Sequence, residues 1–257
     1  MTGFARTWGK ARLPPALLLH CSLAHSGAWA GVAKVLDDRL HLIAPDLVGH
    51  GRGPAHDTVC DYHDQVTEAV ATHLPDAPCH LIGHSFGATV ALRLTIEQPA
   101  MVAGLTLIEP VLFAAAGDGA EVRANDAALA GMNPALAAGD DNLATAVFLA
   151  EWGGGQALSD MPPAQPQYMR DRIWVVPASA PALSDDRVGL IPRLCRVTCP
   201  VLLLEGAQSP AVIPRIQAAL ARGIPQAARV TIPGAGHMLP ITHAVQVAAA
   251  IAAHHSF

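Results

Sequence analysis

The residues best suited to chemistry are the pentapeptide Gly83-His84-Ser85-Phe86-Gly87. It follows an apolar run at 79–82 and precedes a segment, 88–94, that is predicted to be helical. A serine between two glycines at such a junction predicts a turn too sharp for side chains at the glycine positions. The turn would expose the serine hydroxyl beside a helix N-terminus, where backbone N–H groups favour developing negative charge. We therefore expect Ser85 to be a nucleophile. Because short motifs recur by chance, a turn with an incidental serine is the alternative.

Alternating strands and helices are predicted to position this turn. Short apolar runs bounded by turn residues predict strands at 16–20, 40–44, 79–83, 102–109, 200–206 and 228–232, with an edge strand within 2–9. Helices are predicted at 29–40, 62–74, 86–98, 211–222 and 242–253. Strands that alternate with helices at this spacing imply a mostly parallel sheet covered on both faces.

The alternation stops between Val111 and Arg196. This segment has helical patches separated by Gly-Asp-Gly, Gly-Gly-Gly and Met-Pro-Pro, and it holds most of the remaining aromatic residues. We predict a core formed by residues 1–110 and 197–257, with a helical lid at 111–196 that covers Ser85. Trp152 and Trp174 are candidates for lining a substrate pocket, although burial inside the lid would explain either residue equally well.

The order of these features resembles the α/β-hydrolase fold with a helical lid inserted after the sixth strand of that fold. The likeness extends over essentially the whole chain and rests on five stretches, which are Leu18-Leu19-His20-Cys21-Ser22, Asp46-x-x-Gly49-His50-Gly51, the Ser85 pentapeptide, the strand Pro200–Gly206 and Gly234-x-Gly236-His237. The order and spacing of the pentapeptide and the late Gly-x-Gly-His are specific, and the other stretches support them. The predicted fold class is therefore α/β, with helices on both faces of the sheet.

The resemblance assigns His237, in the loop after the last strand, as the catalytic histidine. A general base must titrate near neutrality and lie on a segment that reaches the serine, which agrees with this assignment. Most of the other histidines are expected to be structural. His50 would hold its loop, His84 would pack beside Ser85, and His20 would order the loop after the strand at 16–20.

The acid of the implied triad is the point at which this chain departs from the family. The family commonly places Asp three residues after the glycine that ends the seventh strand, where this chain has Ser209, whose hydroxyl cannot balance a charge on histidine. Some members instead carry the acid at the end of the sixth strand, where this chain has Glu109. We predict that Glu109 is the acid, and we expect an extended backbone there because Pro110 follows. The alternatives are Glu205 and, less favoured, Asp185 and Asp186.

The resemblance also implies an oxyanion hole formed by the N–H of Phe86 and one N–H from the loop after the strand at 16–20. The family usually has His-Gly-x in that loop, and the residue after the glycine donates its backbone N–H. This chain has His20-Cys21-Ser22, so Ser22 is the matching donor. Cys21 in place of glycine leaves the path of the loop open. Cys21 as the nucleophile is a remote alternative, because no base is evident beside it.

Composition limits the other classes of function. The 257 residues are 51% hydrophobic and 14% charged, which suits one large α/β domain, with or without an insertion, and disfavours disorder. The net charge of −5 gives no sign of nucleic-acid binding. Five irregularly spaced cysteines favour free thiols in a reducing cytoplasm over zinc ligands. The apolar run at 16–19 is too short for a signal peptide, and no run approaches the ~20 apolar residues of a membrane span. We expect a cytoplasmic monomer or homodimer without metal or cofactor.

These features predict a serine hydrolase that cleaves an ester, thioester or lactone through an acyl-enzyme. A carbon–carbon bond hydrolase or a cofactor-free haloperoxidase-like enzyme on the same triad is the second interpretation. A ligand-binding protein that has lost turnover is the third. Serine in place of aspartate at position 85 excludes dehalogenase and epoxide-hydrolase chemistry. An aromatic lid without a basic cluster favours a small to medium apolar acyl group.

Overall fold

A single sheet of seven strands forms the centre of the computed structural model, which describes residues 3–155, 158–162 and 164–257. The strands are β1 (Ala5–Trp8), β2 (Pro15–Leu19), β3 (His41–Pro45), β4 (Cys79–His84), β5 (Val102–Ile108), β6 (Val201–Gly206) and β7 (Ala227–Ile232). Their order across the sheet is β1-β3-β2-β4-β5-β6-β7, and only the edge pair β1–β3 is antiparallel. The predicted mostly parallel sheet and its edge strand are both confirmed.

The central strands are buried on both faces, which explains why they appear in the sequence as continuous apolar runs. Every residue of β6 is buried, and so are all but one residue of β2, β4 and β5. The outer strand β7 is largely exposed and correspondingly mixed in composition. The positions of β4 and β5 in the middle of the sheet bring their carboxyl ends side by side.

Helices cover both faces of the sheet and bury two separate apolar clusters. One face carries α1 (Ala30–Leu36) and α11 (Ala244–His255), which pack against each other. The other face carries α2 (Tyr62–Ala71), α3 (Phe86–Glu97) and a later helix at Val212–Gly223. The first predicted helix, 29–40, is shorter than expected, because its first turn is a 3₁₀ helix at Ser26–Trp29 and the α-helix ends at Leu36.

The inserted segment, residues 111–196, contributes helices and no strand in the part that the structure describes. Its helices are α4 (Ala120–Leu129), α5 (Met132–Ala137), α6 (Asp141–Trp152), α7 (Ala164–Arg170) and α8 (Val175–Leu183). In this numbering the core helix at Val212–Gly223 is α9, and a short helix at Leu239–Thr242 is α10. The segment follows β5, which is the fifth strand of this chain rather than a sixth. Thr2 of the predicted edge strand and Pro163 of the predicted Met-Pro-Pro break lie outside the described residues.

None of the helices in the described ranges has both the length and the apolar character needed to cross a membrane.

Candidate active site

Ser85 occupies the single residue between β4 and α3. Its backbone has φ 56° and ψ −119°, a conformation that a residue with a side chain rarely adopts. A Cβ atom at Gly83 would lie 2.5 Å from the Cα of Ala88, and one at Gly87 would lie 2.5 Å from the carbonyl oxygen of His20. The sharp turn therefore requires both glycines, as the sequence predicted, and it presents the serine at the start of α3.

A continuous chain of hydrogen bonds leads from the serine to a buried carboxylate. Ser85 Oγ lies 3.0 Å from His237 Nε2, and His237 Nδ1 lies 2.6 Å from Glu109 Oε2. With Nδ1–H donating to the carboxylate, Nε2 is left to accept the serine proton. Ser85 and His237 are 6% and 5% exposed and Glu109 is fully buried, so little water competes for these bonds. The structure thus brings the three predicted residues together in the predicted order of contact.

Glu109 is held in place by more contacts than the histidine alone. Its Oε1 accepts hydrogen bonds from the Gly206 N–H at 2.7 Å and from the Ser209 hydroxyl, and its own N–H donates to the Leu204 carbonyl at 2.9 Å. The expected extended backbone before Pro110 is wrong, because Glu109 has φ 47°. Such a conformation persists where the surroundings over-determine it, and here the backbone and both carboxylate oxygens are engaged.

Position 209 is expected from the sequence to approach His237, but the contact of Ser209 with the acid is not. In the structure Ser209 lies beside the carboxylate and donates to it. The available signal was its position, because a residue placed where the family commonly has its acid must approach the same histidine side chain.

The alternative acids have other partners. Glu205 Oε1 accepts from Arg229 Nη2 at 2.9 Å and from Thr231 Oγ1 at 3.2 Å. The carboxylate of Asp186 accepts the N–H groups of Leu190 and Ile191, and Asp185 is exposed. Of these carboxylates, Glu109 is the one that is hydrogen-bonded to His237.

The loop after β2 is held by two buried histidines. His20 Nε2 accepts from the Leu47 N–H at 3.1 Å, and His50 Nε2 accepts from the Leu23 N–H at 3.1 Å. Burial lowers the pKa of His20 to about 4, and burial together with the neighbouring His20 lowers the pKa of His50 to about 3. Both rings are therefore neutral at pH 7 and can accept these bonds. Both have the structural role that was expected of them.

Ser22 lies in this loop and lines both cavities together with Ser85, and Phe86 follows Ser85 directly as the first residue of α3. The loop turns at Leu23, which has φ 61°. Cys21 is buried, and burial raises the pKa of its thiol to about 12. The thiol therefore stays protonated at neutral pH, which makes it a poor nucleophile.

His84 acts on the histidine loop rather than simply packing beside the serine. Its Nε2 donates to the backbone carbonyl of His237 at 2.8 Å. Burial, and then the proximity of His237, keep the pKa of His84 well below its ordinary value, so the ring is neutral. This bond fixes the backbone that carries His237.

Two cavities reach Ser85 and share the residues Ser22, Phe148 and Trp152. Cavity 1 is about 440 Å³ and extends beneath α4 and α8, where it is lined by Val111, Phe113, Leu129, Met132, Val176 and Leu183 among others. Cavity 2 is about 810 Å³ and is lined by His237 together with Leu149, Met161, Tyr168, Met169 and Met238 among others. Apolar side chains dominate both linings, and the inserted segment supplies much of each.

The two tryptophan candidates have different locations. Trp152 lines both cavities and its ring packs edge-on against the His237 ring, with centroids 4.6 Å apart. Trp174 lines neither cavity, so its assignment to the pocket is corrected. It stacks on His56 at 4.8 Å and packs against Tyr62 at 5.5 Å, because it precedes α8 on the side that faces α2.

Within the described residues, no group of three or more His, Cys, Asp and Glu side chains is arranged to hold a metal ion.

Comparison with known sequences places this geometry in context. The chain is 37% identical over 116 residues to Lipase LipV of Mycobacterium tuberculosis, a match that covers 45% of this chain and 42% of that protein. It is 39% identical over 95 residues to a pimeloyl-[acyl-carrier protein] methyl ester esterase of Nitrosomonas europaea, covering 37% and 36%. It is also 32% identical over 121 residues to human monoglyceride lipase, covering 43% and 40%. The chain thus spans about two fifths of the length of these relatives.

Solved structures share the fold over nearly the full chain. The enol-lactonase from Burkholderia xenovorans LB400 superimposes with a TM-score of 0.76 at 17% identity, covering 99% of this chain and 96% of that one. MenH from S. aureus gives a TM-score of 0.75 at 20% identity, covering 99% and 98%. The sequence profile of the alpha/beta hydrolase family matches residues 16–250. That match includes the turn at Ser85, the carboxylate of Glu109 and the loop of His237, and the chain belongs to the alpha/beta hydrolase family.

Proposed function

We propose that the protein is a serine hydrolase that cleaves an ester, thioester or lactone through an acyl-enzyme, with Ser85 as nucleophile, His237 as base and Glu109 as acid. The observation that carries the proposal is the unbroken hydrogen-bond chain from Ser85 through His237 to Glu109 at a strained strand-to-helix turn. This is the arrangement that activates a serine hydroxyl at neutral pH.

In the first step, Ser85 Oγ attacks the carbonyl carbon of the substrate while His237 Nε2 takes the hydroxyl proton. The carbonyl oxygen becomes an oxyanion, and we assign the N–H groups of Phe86 and Ser22 as the donors that stabilise it. The imidazolium that forms is stabilised by Glu109, whose second oxygen is already held by Gly206 and Ser209.

In the second step, the C–O or C–S bond to the leaving group breaks and His237 returns its proton to the departing atom. The leaving group must therefore lie on the His237 side of the serine. His237 lines cavity 2 and does not line cavity 1. We assign cavity 2 to the leaving group and cavity 1 to an apolar acyl group of small to medium size. Water then attacks the acyl-enzyme with His237 as base, which releases the acid and restores Ser85.

The printed names of the relatives support this class of reaction. They include lipases and methyl ester esterases, all of which are ester hydrolases. The intact contact chain also favours a working enzyme over a ligand-binding protein that has lost turnover.

The test is the variant Ser85→Ala, assayed with p-nitrophenyl esters of graded chain length. We expect turnover to fall by about 10⁴-fold or more, as it does when a triad nucleophile is removed. A fluorophosphonate probe should label the wild-type protein and not the variant. Ser159→Ala, which changes an exposed serine outside both cavities, is the matched control and should retain activity.

Substantial esterase activity in Ser85→Ala would contradict the proposal. Failure of the wild-type protein to react with the probe would instead favour the ligand-binding interpretation. Labelling without ester cleavage would direct the search to carbon–carbon bond substrates.

A further inference from the structure

The phenol of Tyr168 connects three separate parts of the molecule. Tyr168 lies on α7 of the inserted segment, and its hydroxyl donates to the carbonyl of Ala24 at 2.8 Å. The same oxygen accepts the N–H of Gly51 at 2.8 Å. One hydroxyl therefore joins α7, the loop after β2 and the loop after β3, with both its donor and its acceptor capacity used.

The Tyr168 ring is itself fixed from the inserted segment. The guanidinium carbon of Arg172 lies 3.8 Å from the ring centroid, and Arg172 Nη1 donates to the Tyr168 carbonyl at 2.9 Å. Burial raises the pKa of the Tyr168 phenol, so the hydroxyl keeps the proton that it donates to Ala24. Contacts within the inserted segment thus hold the ring while its hydroxyl contacts the loop.

The loop that Tyr168 contacts is the one that carries the candidate oxyanion donor. Ala24 is two residues after Ser22, and Leu23 between them has φ 61°. The core holds this loop through three contacts, in which His20 accepts the Leu47 N–H, the Leu23 N–H donates to His50, and the Ser26 N–H donates to Asp46 Oδ1 at 2.7 Å. Tyr168 adds a contact from α7, which holds the Ala24 carbonyl.

We propose that Tyr168 is a positioning residue that sets the oxyanion loop through its hydroxyl, so that the Ser22 N–H is held towards Ser85 when α7 is docked on the core. This inference rests on the proposed function and adds a residue to it. Tyr168 does not touch the reacting atoms. It lines cavity 2, but its hydroxyl is engaged by Ala24 and Gly51. Loss of the hydroxyl should therefore act in the step in which negative charge develops on the carbonyl oxygen, because bound substrate does not yet need that donor.

The test is Tyr168→Phe, which keeps the ring and its contact with Arg172 and removes only the hydroxyl. With a p-nitrophenyl ester we expect kcat to fall by about 10–10²-fold and KM to change by less than about 3-fold. The affinity for a trifluoromethyl ketone, which forms a reversible tetrahedral oxyanion with serine, should fall in parallel with kcat. The pH profile of kcat/KM should keep its shape, because His237 and Glu109 are unchanged.

The matched control is Tyr62→Phe, which removes the other phenol hydroxyl of the chain. Tyr62 donates to the Val48 carbonyl, which His50 Nδ1 also contacts at 3.0 Å, and it lines neither cavity. Its loss should affect the melting temperature and leave kcat and ketone affinity near wild type.

Three results would overturn the inference. These are an unchanged kcat in Tyr168→Phe, a rise in KM alone, and a lower kcat with unchanged ketone affinity. Folding is checked by circular dichroism, and Arg172→Met is assayed alongside, since loosening the ring should lower kcat and ketone affinity in the same ratio. If the wild-type protein shows no Ser85-dependent turnover, this inference fails together with the proposed function. If the wild-type protein turns over normally and Tyr168→Phe is unaffected, this inference alone fails.

Discussion

At the scale of the residue, Glu109 illustrates how a buried charge is made tolerable. An ionised carboxylate in the protein interior is destabilising unless it is paired and hydrogen-bonded. Glu109 is fully buried and meets His237, Gly206 and Ser209. Its second oxygen is satisfied independently of the histidine, which leaves the first free to hold the Nδ1–H and stabilise an imidazolium.

We expect Glu109→Gln to lower kcat by ~10²–10⁴-fold with little change in KM, because the amide preserves the shape and removes the charge that stabilises the imidazolium. Adding Ser209→Asp to that variant should restore part of the loss, because Ser209 already contacts the same carboxylate position. Steady-state assays of the single and double variants measure both effects.

The matched control for this pair is Glu205→Gln, which changes a buried strand-end glutamate whose partners are Arg229 and Thr231. It should keep most of the activity. Near-normal activity in Glu109→Gln combined with an inactive Glu205→Gln would make the assignment of the acid wrong.

Sequence alone anticipated that Ser85, Glu109 and His237 lie together, because each follows the end of a strand or lies in a loop at the same edge of a parallel sheet. It could not give the φ of Glu109, since local preference before Pro110 favours an extended backbone and four hydrogen bonds from elsewhere override it. Trp174 was misassigned for a similar reason. Aromatic composition does not tell which face of a helical segment meets the cavity.

At the scale of the element, the junction of β4 and α3 is the most constrained part of the fold. We expect Gly87→Ala to destabilise the protein by roughly 3 kcal/mol or more, since its Cβ would lie 2.5 Å from the carbonyl oxygen of His20 and backbone cannot move aside cheaply. Thermal unfolding measures the loss as a melting temperature lowered by roughly 6 °C or more.

Gly131→Ala provides the comparison for this prediction. Gly131 has φ −76°, and a Cβ there would lie 3.5 Å from the nearest side-chain atom, which is ordinary contact. It should leave the melting temperature within about 2 °C of wild type, because the new methyl group is accommodated. Equal destabilisation by the two changes would mean that glycine is not specifically required at the turn.

The division between the two cavities gives a prediction for the inserted helices. Ala180 on α8 lines cavity 1, and Ala164 on α7 lines cavity 2. Ala180→Phe should lower kcat/KM about 10-fold or more for long acyl chains and spare acetyl esters, because it removes volume from the acyl side. Ala164→Phe should instead lower kcat/KM according to the alcohol part of the ester. Both variants are assayed with esters that vary separately in the acyl chain and in the alcohol, and the reverse pattern would assign the acyl group to cavity 2 and the leaving group to cavity 1.

The strands were more predictable than the helices of the inserted segment for a physical reason. A strand of a doubly covered sheet is buried on both faces and therefore appears as a bounded apolar run, as in β6. Most helices at 111–196 have ten residues or fewer, and α8 contains Pro181, so neither length nor periodicity marks their ends. Their existence was predicted from the loss of the alternating pattern, whereas their bounds required the structure.

At the scale of the whole molecule, two neutral histidines are among the groups that join the loops around the site. His20 and His50 lie 5.1 Å apart between their ring centroids, are each 1% exposed, and accept backbone N–H groups from opposite loops. A protonated ring cannot accept these bonds. The assembly of the loop after β2 with the loop after β3 therefore depends on both rings staying unprotonated.

This dependence predicts that the folded state loses stability as the pH falls. The folded pKa values of about 4 for His20 and about 3 for His50 lie below the ordinary value of 6.5, so between about pH 6.5 and pH 4 the unfolded chain binds more protons than the folded one. The free energy of unfolding should then fall by up to roughly 1.4 kcal/mol per pH unit for each histidine, and the full stability is present above pH 6.5. Urea unfolding at pH 7.5, 6 and 5 measures the slope of the free energy of unfolding against pH.

His50→Gln tests the source of this slope, because its side-chain oxygen can still accept the Leu23 N–H. The variant should be less stable than wild type at pH 7.5 and show a shallower slope. The control His243→Gln, at an only partly buried position, should retain the wild-type slope. A wild-type slope in His50→Gln would show that the acid sensitivity arises elsewhere in the molecule.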